Sequence, residues 1–78
     1  MTPDTQASRS RDTITARERE ILTQLSQGKN VDDIASALVI APLTVRTHIR
    51  NLMEKLGVHS RLEAVTYALR HGLIDSPL

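Results

Sequence analysis

Residues 30–57 read NVDDIASALVIAPLTVRTHIRNLMEKLG, and two helical periods with a short break between them are legible there. In the first, Val31, Ile34, Ala35 and Leu38 fall at i, i+3, i+4 and i+7, the spacing that puts four apolar side chains on one helix face. Asn30 followed by Asp33 is a weak form of the capping box, because Asp is shorter than Glu. Val39, Ile40 and Ala41 make the connection. Pro42 suits the first position of the next helix, where its missing N–H has no helical partner to lose. Val45, Ile49, Leu52, Met53 and Leu56 form the apolar stripe of that helix, and Gly57 stops it. Two helices joined by about three residues form a helix-turn-helix, an arrangement that can set its second helix in a DNA major groove.

The flanks carry the same kind of local signal. Thr15 with Glu18 three residues on is a capping box, so a first helix is predicted to start after Thr15. Ile14 precedes the cap as a candidate staple. Ile21, Leu22 and Leu25 supply the stripe, and Gly28 is placed to close the helix in a left-handed turn. Downstream, Ser60 and Glu63 repeat the box for a fourth helix expected to run to Gly72, with Leu62, Val65, Ala68 and Leu69 as its main apolar face. Leu73 and Ile74 are expected to fold back onto the core. The predicted fold class is therefore all-α, a four-helix domain with a central helix-turn-helix over residues 14–75. Residues 1–13 have only Ala7 as an apolar residue after Met1 and read as a disordered tail or linker, natural or a cloning remnant. Residues 76–78 read as a C-terminal tail.

Composition narrows the classes of function. In 78 residues there is no Cys, Phe or Trp and one Tyr, so the core must be aliphatic and no disulfide or thiolate site can staple it. No apolar run approaches a membrane span, and the first residues lack the apolar stretch of a signal peptide, so no membrane partner and a cytoplasmic location are expected. Thr15 and Ser60 have no His and acid partners in a local motif, and both read as caps rather than nucleophiles. His48, His59 and His71 form no ligand cluster. No enzyme, metal or cofactor is expected.

Net charge is only +1, but its distribution matters more than its sum. Between Pro42 and Leu62 lie Arg46, Arg50, Lys55 and Arg61 against the single acid Glu54. On the third helix, the face opposite the apolar stripe carries Arg46, Thr47, Arg50, Asn51 and Glu54. Arg can bond two acceptors of guanine, and Asn can do the same with adenine. Arg46, Thr47, Arg50 and Asn51 are therefore the candidate base readers. Thr44 and Lys55 sit at the edges of that face, where phosphate contacts are expected, and His48 is a further phosphate candidate. The open N–H groups at Pro42–Leu43 would also favour a phosphate. On the fourth helix, Ala64, Tyr67 and Ala68 belong either to the monomer core or to a small apolar contact between two subunits.

The chain resembles the LuxR/NarL/FixJ-type (GerE-like) DNA-binding domain of bacterial transcription regulators. The resemblance is carried by Thr15-Ala16-Arg17-Glu18-Arg19-Glu20-Ile21-Leu22, Gly28, Ile34-Ala35, Leu38, Thr44-Val45-Arg46-Thr47-His48, Lys55-Leu56-Gly57-Val58 and Ser60-Arg61-Leu62-Glu63-Ala64-Val65. It implies a four-helix domain that binds double-stranded DNA as a homodimer, with the third helix reading bases and the fourth supplying the dimer contact at Ala64, Tyr67 and Ala68. By position it matches Arg46, Thr47 and Arg50 to base and phosphate contacts, and Thr44 and Lys55 to places near phosphate. It also implies that Glu18 helps hold the first helix to the domain. RNA polymerase is a further candidate partner, and a protein-interaction module of the same fold, docking on another regulator or on RNA polymerase, is the alternative function. The sequence departs from the family pattern at Ala41, where a Ser or Thr cap is usual, and at Val31-Asp32, where an Asn-Lys pair is common. An acid in place of a Lys near the DNA backbone predicts moderate affinity and a greater dependence on dimerisation.

Overall fold

The computed structural model describes residues 14–75; the expected tails over 1–13 and 76–78 lie outside the described residues. Four helices follow in order: α1 (Ala16–Ser26), α2 (Val31–Leu38), α3 (Pro42–Leu56) and α4 (Arg61–Arg70). Among the described residues there is no strand. The all-α class and the central helix-turn-helix, α2–turn–α3, are as predicted.

Three of the four helices start where the sequence supplies a side-chain cap. At α1 the Thr15 hydroxyl accepts the Glu18 N–H at 3.0 Å, and Glu18 Oε1 accepts the Thr15 N–H at 3.0 Å. Both halves of the capping box are thus made. At α2 the Asn30 side chain accepts the Asp33 N–H at 2.8 Å. At α4 the Ser60 hydroxyl accepts the Glu63 N–H at 3.0 Å, but Glu63 Oε1 takes the N–H of His59 at 2.6 Å rather than that of Ser60. The acid therefore ties down the residue before the cap, not the cap itself. The exception is α3, whose N-cap Ala41 has no side chain to offer and whose first residue is Pro42.

All four helices end the same way. An N–H two or three residues beyond the last helical residue returns to a carbonyl five residues back: Lys29 to Gln24, Ile40 to Ala35, Val58 to Met53 and Leu73 to Ala68, at 2.8–3.2 Å. This closure needs a left-handed residue in between. Gly28, Gly57 and Gly72 supply it after α1, α3 and α4. After α2 the residue is Val39, at φ 58° and 87% exposed. A β-branched side chain in that region is strained by roughly 1–2 kcal/mol. The fourth helix thus ends at Arg70, with Gly72 as its closing turn rather than its last residue.

The core is aliphatic. Ile14, Ile21 and Leu22 from the α1 segment meet Val31, Ile34 and Ala35 of α2, and Val45, Ile49, Leu52 and Leu56 of α3. Ala64, Ala68 and Ile74 complete it. α3 packs on all three other helices, and α1 also packs on α4. One face differs from expectation. Of the apolar set read for α4, Ala68 is fully buried as expected, but Leu62 is 76% exposed, Leu69 is exposed and Val65 half-buried, and Ala64, outside that set, is fully buried. The helix turns small side chains inward where α1 and α3 both pack against it, and close approach between helices favours Ala over Leu.

Candidate nucleic-acid interface

Four core residues, Val45, Ile49, Leu52 and Leu56, fix how α3 is rotated about its axis. The residues between them must then face outward. Thr44, Arg46, Arg50 and Asn51 are exposed, and Thr47 and His48 are half-buried at the margins of that face. Arg46 and Arg50 are one turn apart on the same side. The ion pairs among the described residues are Arg17–Glu20 and Lys55–Glu18, so neither arginine is held by a described carboxylate. Their donors point to solvent from a rigid support. Thr47 donates its hydroxyl to the Leu43 carbonyl at 3.0 Å, which leaves its methyl and its oxygen lone pairs to meet a ligand.

The N-terminus of α3 is open. Pro42 has no N–H, Val45 N–H bonds back to the Ala41 carbonyl at 3.1 Å, and no side chain caps the turn. The N–H groups of Leu43 and Thr44 remain for an outside acceptor, at the positive end of the helix dipole. Leu43 itself is 70% exposed. Sequence reading used it only as the opening residue of the helix; its exposure follows from its place off the 45/49/52/56 stripe. An exposed leucine there offers an apolar contact of the kind a thymine methyl accepts.

The structure adds to the sequence reading at two places. Lys55, a phosphate candidate, donates its Nζ to Glu18 Oε1 at 2.9 Å, and Glu18 is 3% exposed. A carboxylate that deeply buried needs a counter-charge, and Lys55 is the cation within reach. Glu18 thereby joins α1 to α3, as the resemblance implied. The second place is Ala64 and Ala68. Both are fully buried in the monomer, so of the two readings the structure gives the core one, and neither has surface to offer a second subunit. Tyr67 is half-buried, with its ring 4.0 Å from that of His71. Arg19 donates to the carbonyl of Leu73 and ties the C-terminal segment to α1. No local signal could have found that pair or Glu18–Lys55, since 54 and 37 positions separate their members.

Among the described residues no cluster of His, Cys, Asp and Glu could hold a metal ion. No described helix is long and apolar enough to cross a membrane.

Comparison with known proteins places this geometry. A family model described as bacterial regulatory proteins, luxR family, matches residues 12–68. The probable transcriptional regulatory protein NarL of Mycobacterium tuberculosis (strain ATCC 25618 / H37Rv) is 47% identical over 62 residues, which cover 80% of this chain and 29% of NarL. The match thus spans less than a third of that relative's length. The spore germination protein GerE of Bacillus subtilis (strain 168) is 48% identical over 62 residues, covering 80% of this chain and 84% of GerE. A solved structure of the transcription factor GerE superposes with a TM-score of 0.76 at 43% identity, covering 78% of this chain and 91% of that one.

Proposed function

The chain belongs to the luxR family of bacterial regulatory proteins, and on that footing we propose that it binds double-stranded DNA sequence-specifically as the output domain of a transcription regulator. The observation that carries this reading is the pair Arg46 and Arg50, one turn apart on the second helix of a helix-turn-helix, exposed and unclaimed by any described acid. In this reading α3 lies in the major groove. Arg46, Thr47, Arg50 and Asn51 read bases, with Leu43 as an added apolar contact. Thr44 and the open N–H groups of Leu43 and Thr44 hold a phosphate at the head of the helix, with His48 beside them.

A homodimer on DNA fits a face of α4 that leaves Leu62 and Leu69 exposed beside Val65. That face replaces Ala64 and Ala68 as the contact. A two-fold pair would set its recognition helices in successive major grooves about 34 Å apart. RNA polymerase is a candidate second partner. The whole regulator acts in the cytoplasm, binds no membrane and has no catalytic activity of its own in this reading.

The test is a titration with random duplex DNA at low and moderate salt, beside the double variant Arg46→Ala/Arg50→Ala. Salt-sensitive binding that the double variant loses supports the reading. Each single variant should weaken binding to a selected target site by about 1–3 kcal/mol. Absence of binding at low salt by the folded domain would favour a protein-docking module of the same fold.

A further inference from the structure

Beside the exposed face of α3 runs an open groove of about 580 Å³ whose far wall is the start of α4. Arg46 and Arg50 line one side; His59, Ser60 and Arg61 line the other. Glu54 is the one carboxylate in it, against three arginines. Neither ion pair among the described residues involves Arg61, which is exposed. Arg61 also borders the end of α1 at Ser26, Gly28 and Lys29, where no acid lines the hollow to pair with it. Arg61 is the first residue of α4, where the helix dipole presents its positive end and disfavours a cation. That end is already satisfied by Ser60, which accepts the Glu63 N–H, and by Glu63 as the acid of the first turn. Arg61 therefore stabilises neither its own helix nor an internal carboxylate, and it shares a groove with the two arginines of the recognition helix.

We propose that Arg61 is a DNA-backbone contact, holding a phosphate of the strand that borders the major groove while Arg46 and Arg50 reach the bases. The inference rests on the reading of α3 as the recognition helix. A recognition helix about 10–12 Å across fills a major groove about 12 Å wide, so a basic side chain across a surface groove from it meets the flanking phosphates. The contact positions and does not read. It adds affinity on every sequence and locks the rotation of α3 in the groove. Together with the open head of α3, it would grip the backbone at a second point remote from the first.

The experiment uses the whole chain, with Arg61→Gln measured beside wild type and Arg46→Ala/Arg50→Ala on one selected site and one random duplex across a salt series. Arg61→Gln should weaken binding about tenfold per subunit, equally on both duplexes. It should also lower the slope of log affinity against log salt by about 1 per subunit. Its melting temperature should be unchanged or raised, because a cation has left a helix N-terminus. If wild type binds and Arg61→Gln binds with the same affinity and slope, the inference is overturned and the recognition-helix reading stands. If wild type does not bind, the recognition-helix reading fails and takes the inference with it. Loss of binding on the selected site alone would make Arg61 a base reader, and loss accompanied by weaker self-association without DNA would place it in a dimer contact; either outcome overturns the proposal.

Discussion

The two ends of α3 are built on opposite terms. At its C-terminal end Leu56 is buried, Gly57 closes the helix in a left-handed turn, and Lys55 is held by a carboxylate that is itself buried. At its N-terminal end the cap residue is Ala41, which makes no side-chain bond. The turn before it passes through Val39 in a conformation that favours glycine. Leu43, one residue inside the helix, is exposed. The ion pair and the glycine closure are thus gathered at the C-terminal end, while Val45 packs the N-terminal one into the core. The N-terminal end otherwise keeps its N–H groups and its apolar surface unspent. That is the pattern expected when one terminus anchors a helix and the other meets a ligand, since groups reserved for a partner cannot also stabilise the free fold.

The largest effect should come from the anchored end. Glu18→Ala removes the carboxylate from both its capping box and the Lys55 ammonium. It should lower stability by about 2–4 kcal/mol in urea unfolding. Glu18→Gln, which can still accept the Thr15 N–H, should cost less. A loss below about 1 kcal/mol for the alanine variant would mean that this end is no better fastened than the other.

At the open end the changes should run the opposite way. Val39→Gly relieves a left-handed valine and should raise stability by about 1 kcal/mol, measured by the same unfolding, because the strain removed exceeds the added chain entropy. No gain would show that the turn is not strained. Ala41→Ser supplies the missing cap and should add about 0.5–1 kcal/mol. It sharpens the comparison further, because the new hydroxyl would take an N–H that the proposed phosphate uses. Stability should rise while DNA affinity falls or stays level, and a rise in both would argue that the open terminus is not a phosphate site.

The smallest effect is the reference for the ion pairs. Arg17 and Glu20 are 3.3 Å apart on α1 with side chains 40% and 56% exposed. Arg17→Ala should change stability by no more than about 0.5 kcal/mol, as solvent-screened pairs do. A larger loss would erase the distinction between this pair and Glu18–Lys55.

The candidate site was legible to the extent that it depends on one helix. Once Val45, Ile49, Leu52 and Leu56 are assigned inward, Arg46, Arg50 and Asn51 have nowhere to go but out, and both statements come from a 3.6-residue period. For Lys55 the same reasoning went only part of the way. Its place at the edge of the exposed face was read correctly, but its partner Glu18 is 37 positions away on α1. The fourth helix was read only in part: Ala68 of the expected face is buried, and Leu62, Val65 and Leu69 are not. Leu62/Val65/Leu69 and Ala64/Ala68 each fall at a helical spacing, and hydrophobicity favours the larger residues. The neighbouring helices favour the smaller ones, because α1 and α3 both pack closely against this helix.

The sequence by itself determined the capped starts of α1, α2 and α4 and the glycine-closed ends of α1 and α3. Caps, boxes and left-handed glycines act between residues no more than about five apart, and such contacts are specified by the chain segment that contains them. Even the uncapped start of α3 was plain from Ala41 and Pro42. Only the tertiary structure decided which face of α4 is core, that Lys55 serves Glu18, and that Arg61 stands across a groove from Arg46 and Arg50. Those are relations between helices. They are set by which pairs of surfaces fit closely and by where a buried charge can find its opposite, and neither condition is written in a local spacing.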